Sequence, residues 1–259
     1  MTISICTTFY NDKKMLKLMM DSILSQDYCD IEHIVTDGGS DDGSVELLRE
    51  YADKYAKCGK KLVWVSERDQ GIYDGFNKAA DMSSGDYLMF GSDPFYDSHT
   101  ISLVISTIEA EHADYVYGGM IFQKDGKIIR LWSGKPGNWR LGWIAATPTI
   151  CMKRKVWETY GPLDRVYKSA ADYKFQLLIF SDSTLNSVSI NKPIVTYYAG
   201  GTSNGGIKAI LLSIKECQKI LNECKVPFGW FTNLCKTFIA LCAYVFASHK
   251  KINLEENNK

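Results

Sequence analysis

Excess charge of either sign is missing from this chain. Thirty lysines and arginines face thirty aspartates and glutamates over 259 residues, for a net charge of zero. A general nucleic-acid binder normally carries a basic surplus, so no nucleic-acid partner is expected. Paired cysteines are missing as well. The eight cysteines (6, 29, 58, 151, 217, 224, 235 and 242) contain no C-x-x-C pair, and four lie in apolar runs. That distribution fits buried or lipid-facing thiols in a reducing compartment better than a disulfide framework. The first residues, MTISICTTFYND, hold neither a basic segment nor a cleavage site, so a cytoplasmic rather than a secreted protein is expected. No apolar stretch reaches the roughly 20 residues that a spanning helix needs. Internal repeats and low-complexity segments are absent too. At 46% hydrophobic, a chain of this length can bury a substantial core, as one large domain or one domain with an appendage.

Through its first half the chain alternates short apolar runs with helical patterns. Ile3 to Thr8 is the first run, and a helix begins at Asn11-Asp12 and ends near Gln26. Ile31 to Asp37 follows as a strand, then the turn GGSDDGS and an amphipathic helix to about Tyr55. Lys61 to Ser66 is a third strand, Gln70 to Ser83 a helix, and Asp86 to Phe90 a fourth strand. Strands separated by helices of this length imply βαβ units, a mostly parallel sheet and right-handed crossovers. The pattern changes after a helix near Ser98 to Glu111. Tyr115 to Arg130 reads as a hairpin turning at Asp125-Gly126, and Ser133 to Trp143 as a loop rich in Gly, Pro and Trp. A strand over Pro148 to Met152, a short helix over Val156 to Tyr160 and a longer one over Tyr167 to Ser181 come next. Residues 185 to 198 read as a strand pair and 206 to 223 as a polar helix.

The stretch from Ser66 to Asp93, SERDQGIYDGFNKAADMSSGDYLMFGSD, carries the most information. It joins a strand end to an acidic turn, a helix opening at Gln70-Gly71-Ile72-Tyr73-Asp74, and a strand that stops at the turn containing Asp93. Such a layout suits a phosphorylated, metal-bridged ligand at the C-terminal ends of parallel strands. The stretch resembles the inverting family-2 glycosyltransferases of bacteria, especially the small ones that build surface polysaccharides such as colanic acid and O-antigen. A family-typical version reads close to SEPDxGIYDAMNKG, followed by GDY and an Asp-rich turn. The resemblance implies a GT-A-like α/β catalytic domain over residues 1–205. Residues 1–97 would bind the nucleotide sugar and 98–205 the acceptor, with a helical region over 206–259.

On that resemblance the site can be laid out residue by residue. Thr7-Thr8-Phe9-Tyr10-Asn11 stands where the family has T-x-x-Y-N, which puts Thr8 and Tyr10 at the nucleobase. Asp37 matches the family's uracil-binding Asp, because a carboxylate accepts from the ring N–H. The competing reading is that it only closes the turn GGSDDGS, in which Asp41 and Asp42 are turn and N-cap residues. Asp69 would join Asp37 at the base or ribose, while Gln70 and Gly71 let the backbone come close to the ligand. Asn77 has an inward polar role, and Lys78 reads as a solvated helix lysine. The turn Gly91-Ser92-Asp93-Pro94 departs from the family's Asp-x-Asp pattern. Ser92 and Pro94 fall on the two acidic positions, or, with one deletion, Asp93 aligns with the metal carboxylate. A divalent cation, Mn²⁺ or Mg²⁺, is expected at Asp93, since a leaving nucleoside diphosphate needs its charge neutralised. Asp97 either supplements that site or caps the next helix.

Downstream, ATPTICMKRKVWETYGPLDRVYKSAADYKFQLLIF resembles the family's acceptor-side segment. Asp172 falls on the general base that deprotonates the acceptor hydroxyl, although a lone Asp also suits a helix's first turn. Thr147 replaces the His that many relatives carry before Pro148, so roles given to that His do not transfer. Tyr198 to Ser203 resembles a late Gly-Gly loop able to close over a diphosphate. The donor implied is a UDP-sugar, and the acceptor a saccharide, typically a lipid-linked oligosaccharide of O-antigen, capsule or exopolysaccharide. Trp230, Phe231, Leu234, Phe238, Leu241 and Val245 then mark one apolar helical face flanked by lysines. Residues 228–247 would lie in a membrane interface at the inner face of the plasma membrane, or pack on the domain itself or on a second copy. Two other functions are weighed. A nucleotidyltransferase would carry an N-terminal Gly-rich basic phosphate loop, which residues 1 to 20 lack. A catalytically inactive nucleotide-sugar-binding subunit is favoured by the altered turn and opposed by Asp172.

Overall fold

The structure is a computed structural model and describes residues 1–124, 126–198 and 206–247. Strands β1 (Ile3–Phe9), β2 (Ile31–Asp37), β3 (Lys61–Ser66) and β4 (Tyr87–Phe90) alternate with helices α1 (Lys13–Leu24), α2 (Ser44–Lys57) and α3 (Ile72–Asp81). All four strands run parallel, in the order β3-β2-β1-β4. Every residue of β1, β2 and β4 is buried, as expected for strands covered on both faces. Helix α1 shows how the local sequence sets an element. The Asp12 side chain accepts from Met15 N at 3.1 Å to cap its start, and Leu16, Met19, Met20 and Ile23 form the buried stripe.

The second half completes an eight-stranded mixed sheet. It comprises α4 (Thr100–Ala110), β5 (Tyr115–Lys124), β6 (Lys127–Trp132), β7 (Cys151–Lys153), α5 (Arg154–Tyr160), α6 (Ala171–Ser181), β8 (Ser187–Tyr198), α7 (Gly206–Glu223) and α8 (Gly229–Ala247). Strand β7 runs antiparallel between β4 and β5 and so ties the halves together. The expected hairpin is present as β5 and β6, although Asp125 at its tip lies outside the described residues. Two expectations are corrected. Residues 147–149 form a 3₁₀ turn, and the strand starts only at Cys151, because Pro148 has no N–H to give to a ladder. The strand pair over 185–198 is one long strand, β8, parallel to β5. Its register shifts around Gly118-Gly119, opposite Asn191-Lys192-Pro193, so the breaker residues make bulges instead of a turn.

Helices cover both faces of the sheet. One apolar cluster joins it to α1, α2 and α4, and the other to α3, α5, α6 and α7. The C-terminal helices are therefore docked, with Cys217, Ile220 and Leu221 of α7 all at most 1% exposed. Helix α8 lies on α7 and on the 3₁₀ turn Trp139–Leu141, where Thr232 Oγ1 donates to Arg140 O at 2.8 Å. Its outer face remains uncovered, with Trp230, Leu234 and Phe238 each about 60% exposed or more (62%, 59% and 65%). Among the described residues, no helix is long and apolar enough to cross a membrane.

Candidate active site

Strand β1 sits where the connections switch direction, with β2 on one side and β4 on the other. A crevice outside the carboxyl ends of strands opens at such a point. Here it is a cavity of about 400 Å³. Its walls include Thr8 and Tyr10 after β1, Tyr73 and Phe76 of α3, Ser92 and Asp93 after β4, and Thr147, Asp172 and Phe175 from the second half. At Gly91 an added Cβ would lie 2.8 Å from Pro148 Cβ. A side chain there would push the β4 turn off the 3₁₀ turn behind the cavity.

Asp172 stands in the first turn of α6 and faces this cavity. Its Oδ1 accepts from the Tyr73 hydroxyl at 3.0 Å and from Tyr173 N at 2.9 Å. Its Oδ2 accepts from Thr147 Oγ1 at 2.9 Å, and Gln176 Nε2 in turn donates to Thr147 Oγ1 at 2.9 Å. Every partner donates, so the carboxylate is held from both oxygens. Tyr73 and Thr147 were not assigned these roles from the sequence, because they lie 99 and 25 positions from Asp172. Gln176 was findable, being four residues after Asp172 and hence on the same helix face.

Asp93 is half-buried, and burial pushes its carboxyl up to about 6. Among the described residues no hydrogen bond or ion pair offsets that burial. Ser92 Oγ donates to Thr8 O at 2.8 Å and so ties the β4 turn to the end of β1. Asp97 neither joins Asp93 nor caps α4, whose N-cap is His99; it closes the preceding turn, accepting from His99 N at 2.9 Å and from Thr100 Oγ1 at 3.0 Å. No group of three or more His, Cys, Asp or Glu that could hold a metal ion occurs among the described residues. The cavity wall nevertheless fits a cation brought in with a phosphorylated ligand. It contains Asp12, Asp93 and Asp172 but no lysine or arginine among the described residues. A single carboxylate with substrate phosphates and waters is an ordinary Mg²⁺ environment.

The remaining sequence candidates cluster around the ends of β2 and β3. Asp37 is 2% exposed and already takes Ser40 N at 3.0 Å, Gly39 N at 3.3 Å, Ser66 Oγ at 2.6 Å and the Ser40 hydroxyl. The geometry thus displays its turn-closing role. Asp69 accepts from Gly71 N at 2.9 Å through Oδ1. Its Oδ2 and the Tyr10 ring converge over Gly38, where an added Cβ would meet them at 3.0 and 3.3 Å. Gln70 is exposed, and its N–H donates to Asp74 Oδ2 at 3.1 Å. Asn77 holds the backbone of Leu163 from both sides, at 2.8 and 2.9 Å. Lys78 is paired with Glu67 at 2.9 Å and Asp74 at 3.4 Å. Asp74 itself, 6% exposed, pairs with Arg165 at 2.6 Å and joins the halves, a contact the sequence did not suggest. Asp42 is not the N-cap of α2, which is Gly43; it closes the turn before the helix, accepting from Ser44 N at 3.0 Å. Of the late loop, Tyr198 lines the cavity, and residues 199–203 lie outside the described residues.

Comparisons with known proteins agree with this fold. The model of the family described as glycosyl transferase family 2 matches residues 4–155. A PGL/p-HBAD biosynthesis glycosyltransferase of Mycobacterium tuberculosis strain H37Ra is 27% identical over 248 residues, covering 86% of this chain and 93% of that protein. Among solved structures, Staphylococcus aureus TarS 1-349 in complex with UDP-GlcNAc aligns at a TM-score of 0.69 and 16% identity, covering 99% of this chain and 77% of that one. The mannosyltransferase PcManGT of Pyrobaculum calidifontis, in complex with GDP-Man and Mn²⁺, aligns at 0.64 and 15% identity, covering 95% and 72%. At such identities the likeness is one of fold.

Proposed function

The chain belongs to glycosyl transferase family 2, and on that premise we propose that it moves a sugar from a UDP-linked donor to a saccharide acceptor with inversion at the anomeric carbon. It is a glycosyltransferase of GT-A-like fold acting on a nucleotide-sugar donor. The observation that carries the finer reading is Asp172, an anchored carboxylate in the same cavity as Asp93 and the ends of β1 and β4. Asp172 takes the proton of the acceptor hydroxyl as that oxygen attacks the anomeric carbon from the face opposite the diphosphate. The new glycosidic C–O bond forms while the bond to the diphosphate oxygen breaks, and the nucleoside diphosphate leaves with the electron pair. Asp93 would hold a divalent cation, Mn²⁺ or Mg²⁺, which neutralises charge on the departing diphosphate when bound. Ser92 fixes the turn that presents Asp93.

For the base, Tyr10 offers a face that is 65% exposed and Asp69 an oxygen beside Gly38. Uracil stacked on Tyr10 would donate its ring N–H to Asp69, with Thr8 lining the approach and Asp37 shaping the turn. Gln70 and Gly71 bring the backbone alongside, and Asn77 steadies the loop carrying Leu163. The acceptor is assigned as a lipid-linked oligosaccharide of a surface polysaccharide, O-antigen among them, met at the inner face of the plasma membrane. The exposed apolar face of α8 supports that location, since its 19 residues include Lys236 and no Asp or Glu.

Asp172→Asn is the decisive test. It keeps size and most of the hydrogen bonding but takes up no proton. UDP affinity should stay within about twofold while turnover falls by roughly 10²–10⁴, the usual worth of a positioned base. Asp164→Asn is the control. Asp164 caps Val166 N at 3.1 Å and pairs with Lys174 at 2.7 Å, so its loss should lower the melting temperature more than the rate. Near wild-type turnover by Asp172→Asn would end the base assignment.

A further inference from the structure

The contacts of Asp172 are ordered in a way that singles out one of its oxygens. A carboxylate offers about four lone-pair sites. On Oδ1 both are filled, by the Tyr73 hydroxyl and by Tyr173 N. On Oδ2 one is filled by Thr147, and among the described residues no second donor reaches that oxygen of a carboxylate that lines the cavity. Burial and the neighbouring Asp172 charge push the Tyr73 phenol well above its ordinary range, so Tyr73 stays a donor.

The direction of the second chain follows from the proton count. Thr147 Oγ1 is 2.9 Å from both Asp172 Oδ2 and the side-chain amide of Gln176. The hydroxyl has a single proton. With a carboxylate on one side, that proton goes to Oδ2, and Gln176 must present its NH₂ to the Thr147 lone pair. The opposite amide orientation would set two acceptors against one proton. This arrangement leaves Gln176 Oε1 buried with no partner among the described residues, in a side chain 1% exposed. Such an orphan costs stability. Its retention fits a contact kept for the site rather than for the fold.

We propose that Thr147 and Gln176 are positioning residues that lock the Asp172 carboxylate and reserve its Oδ2 for the proton of the incoming acceptor. This rests on the reading of Asp172 as the base. Thr147 thereby has a defined task at a position where many family members carry His. Tyr73 adds a link to the donor half, because it lies in the first turn of α3, directly after the turn that carries Asp69.

The test uses hydrolysis of a UDP-sugar, chosen from a panel as the one the wild-type enzyme cleaves fastest. Water is then the acceptor, so lost contacts to a saccharide cannot enter the readout. Thr147→Val keeps the shape and removes the hydroxyl. Its kcat should fall about ten- to a hundredfold with the donor KM within twofold, the cost expected when a reacting group is slightly misplaced. Thr147→Ser should recover most of that loss. Gln176→Met should lower kcat severalfold, again at constant KM, and serves alone if Thr147→Val does not fold. If Asp172→Asn is inactive while Thr147→Val and Gln176→Met match wild type, the positioning role is refuted and the base stands. If Asp172→Asn is active, the base reading itself falls. A serine variant as slow as the valine one would also overturn the proposal, since the hydroxyl would not be the determinant.

Discussion

The Asp93 site makes a prediction about pH that most surface carboxylates would not. Burial holds this carboxyl at about 6 rather than in the usual carboxylate range. A cation must displace the proton, because only the ionised form is a hard oxygen ligand. A nucleotide sugar brings further negative charge to a wall with three aspartates and no lysine or arginine among the described residues. Donor affinity in subsaturating Mn²⁺ should therefore be flat above about pH 7 and fall as pH drops through 6. Each unit below that value should cost close to tenfold, about 1.4 kcal/mol for one proton. The assay is calorimetric titration of a UDP-sugar at several values between pH 5 and 8, with Mn²⁺ and with EDTA. A UDP-sugar is used because the terminal phosphate of free UDP would itself titrate near pH 6. Asp12, Asp172 and Tyr197 also face the cavity. The Asp93→Ala variant separates their effect, since it should bind weakly and lose the slope. A pH-independent affinity in the wild type, or the same slope in Asp93→Ala, would refute the assignment. If EDTA left both binding and turnover unchanged, the cation itself would have to be abandoned.

Three further outcomes are expected. Asp69→Ala should erase a preference for UDP over GDP in calorimetry, whereas Asp37→Ala should lower unfolding free energy by about 1–3 kcal/mol, because it strands the donors of its turn. Equal loss of selectivity in both would return Asp37 to the base site. Gly75→Ala drives a Cβ into Thr8 Oγ1. Overpacking of about 1–3 kcal/mol should outweigh a helix-propensity gain of up to about 1 kcal/mol, as read by urea denaturation. A neutral or stabilised variant would mean that Thr8 simply turns away. For α8, the wild type should sediment with anionic vesicles, and a variant with Ser at positions 230, 234 and 238 should not. If light scattering instead showed the variant losing a dimer, with no lipid binding in either protein, the apolar face would belong to a second copy.

How much of this was legible beforehand follows the physics of each region. The first half was readable because parallel strands covered on both faces must be continuous apolar runs, as β1, β2 and β4 are. The helices between them carry local start signals, such as the Asp12 cap. The second half was harder for a local reason. In β8 the residues Asn191-Lys192-Pro193 look like a turn, yet long-range pairing with β5 absorbs them as bulges. Site residues divide the same way. Asp172 and Asp93 were singled out because motif spacing places them, and both line one cavity. Their surroundings were not found, since pairing is a property of the folded chain. Asp37 and Asp69 both end near strand termini, and nothing local says that Asp37 is enclosed by its own turn while Asp69 keeps an oxygen beside Tyr10. Asp74 reads as a first-turn acid of α3, yet it is the buried partner of Arg165, 91 positions away. What a sequence motif locates is therefore the charged atom. Which lone pair of that atom is free, and hence where a proton could be received, is decided by donors that only tertiary structure brings to it.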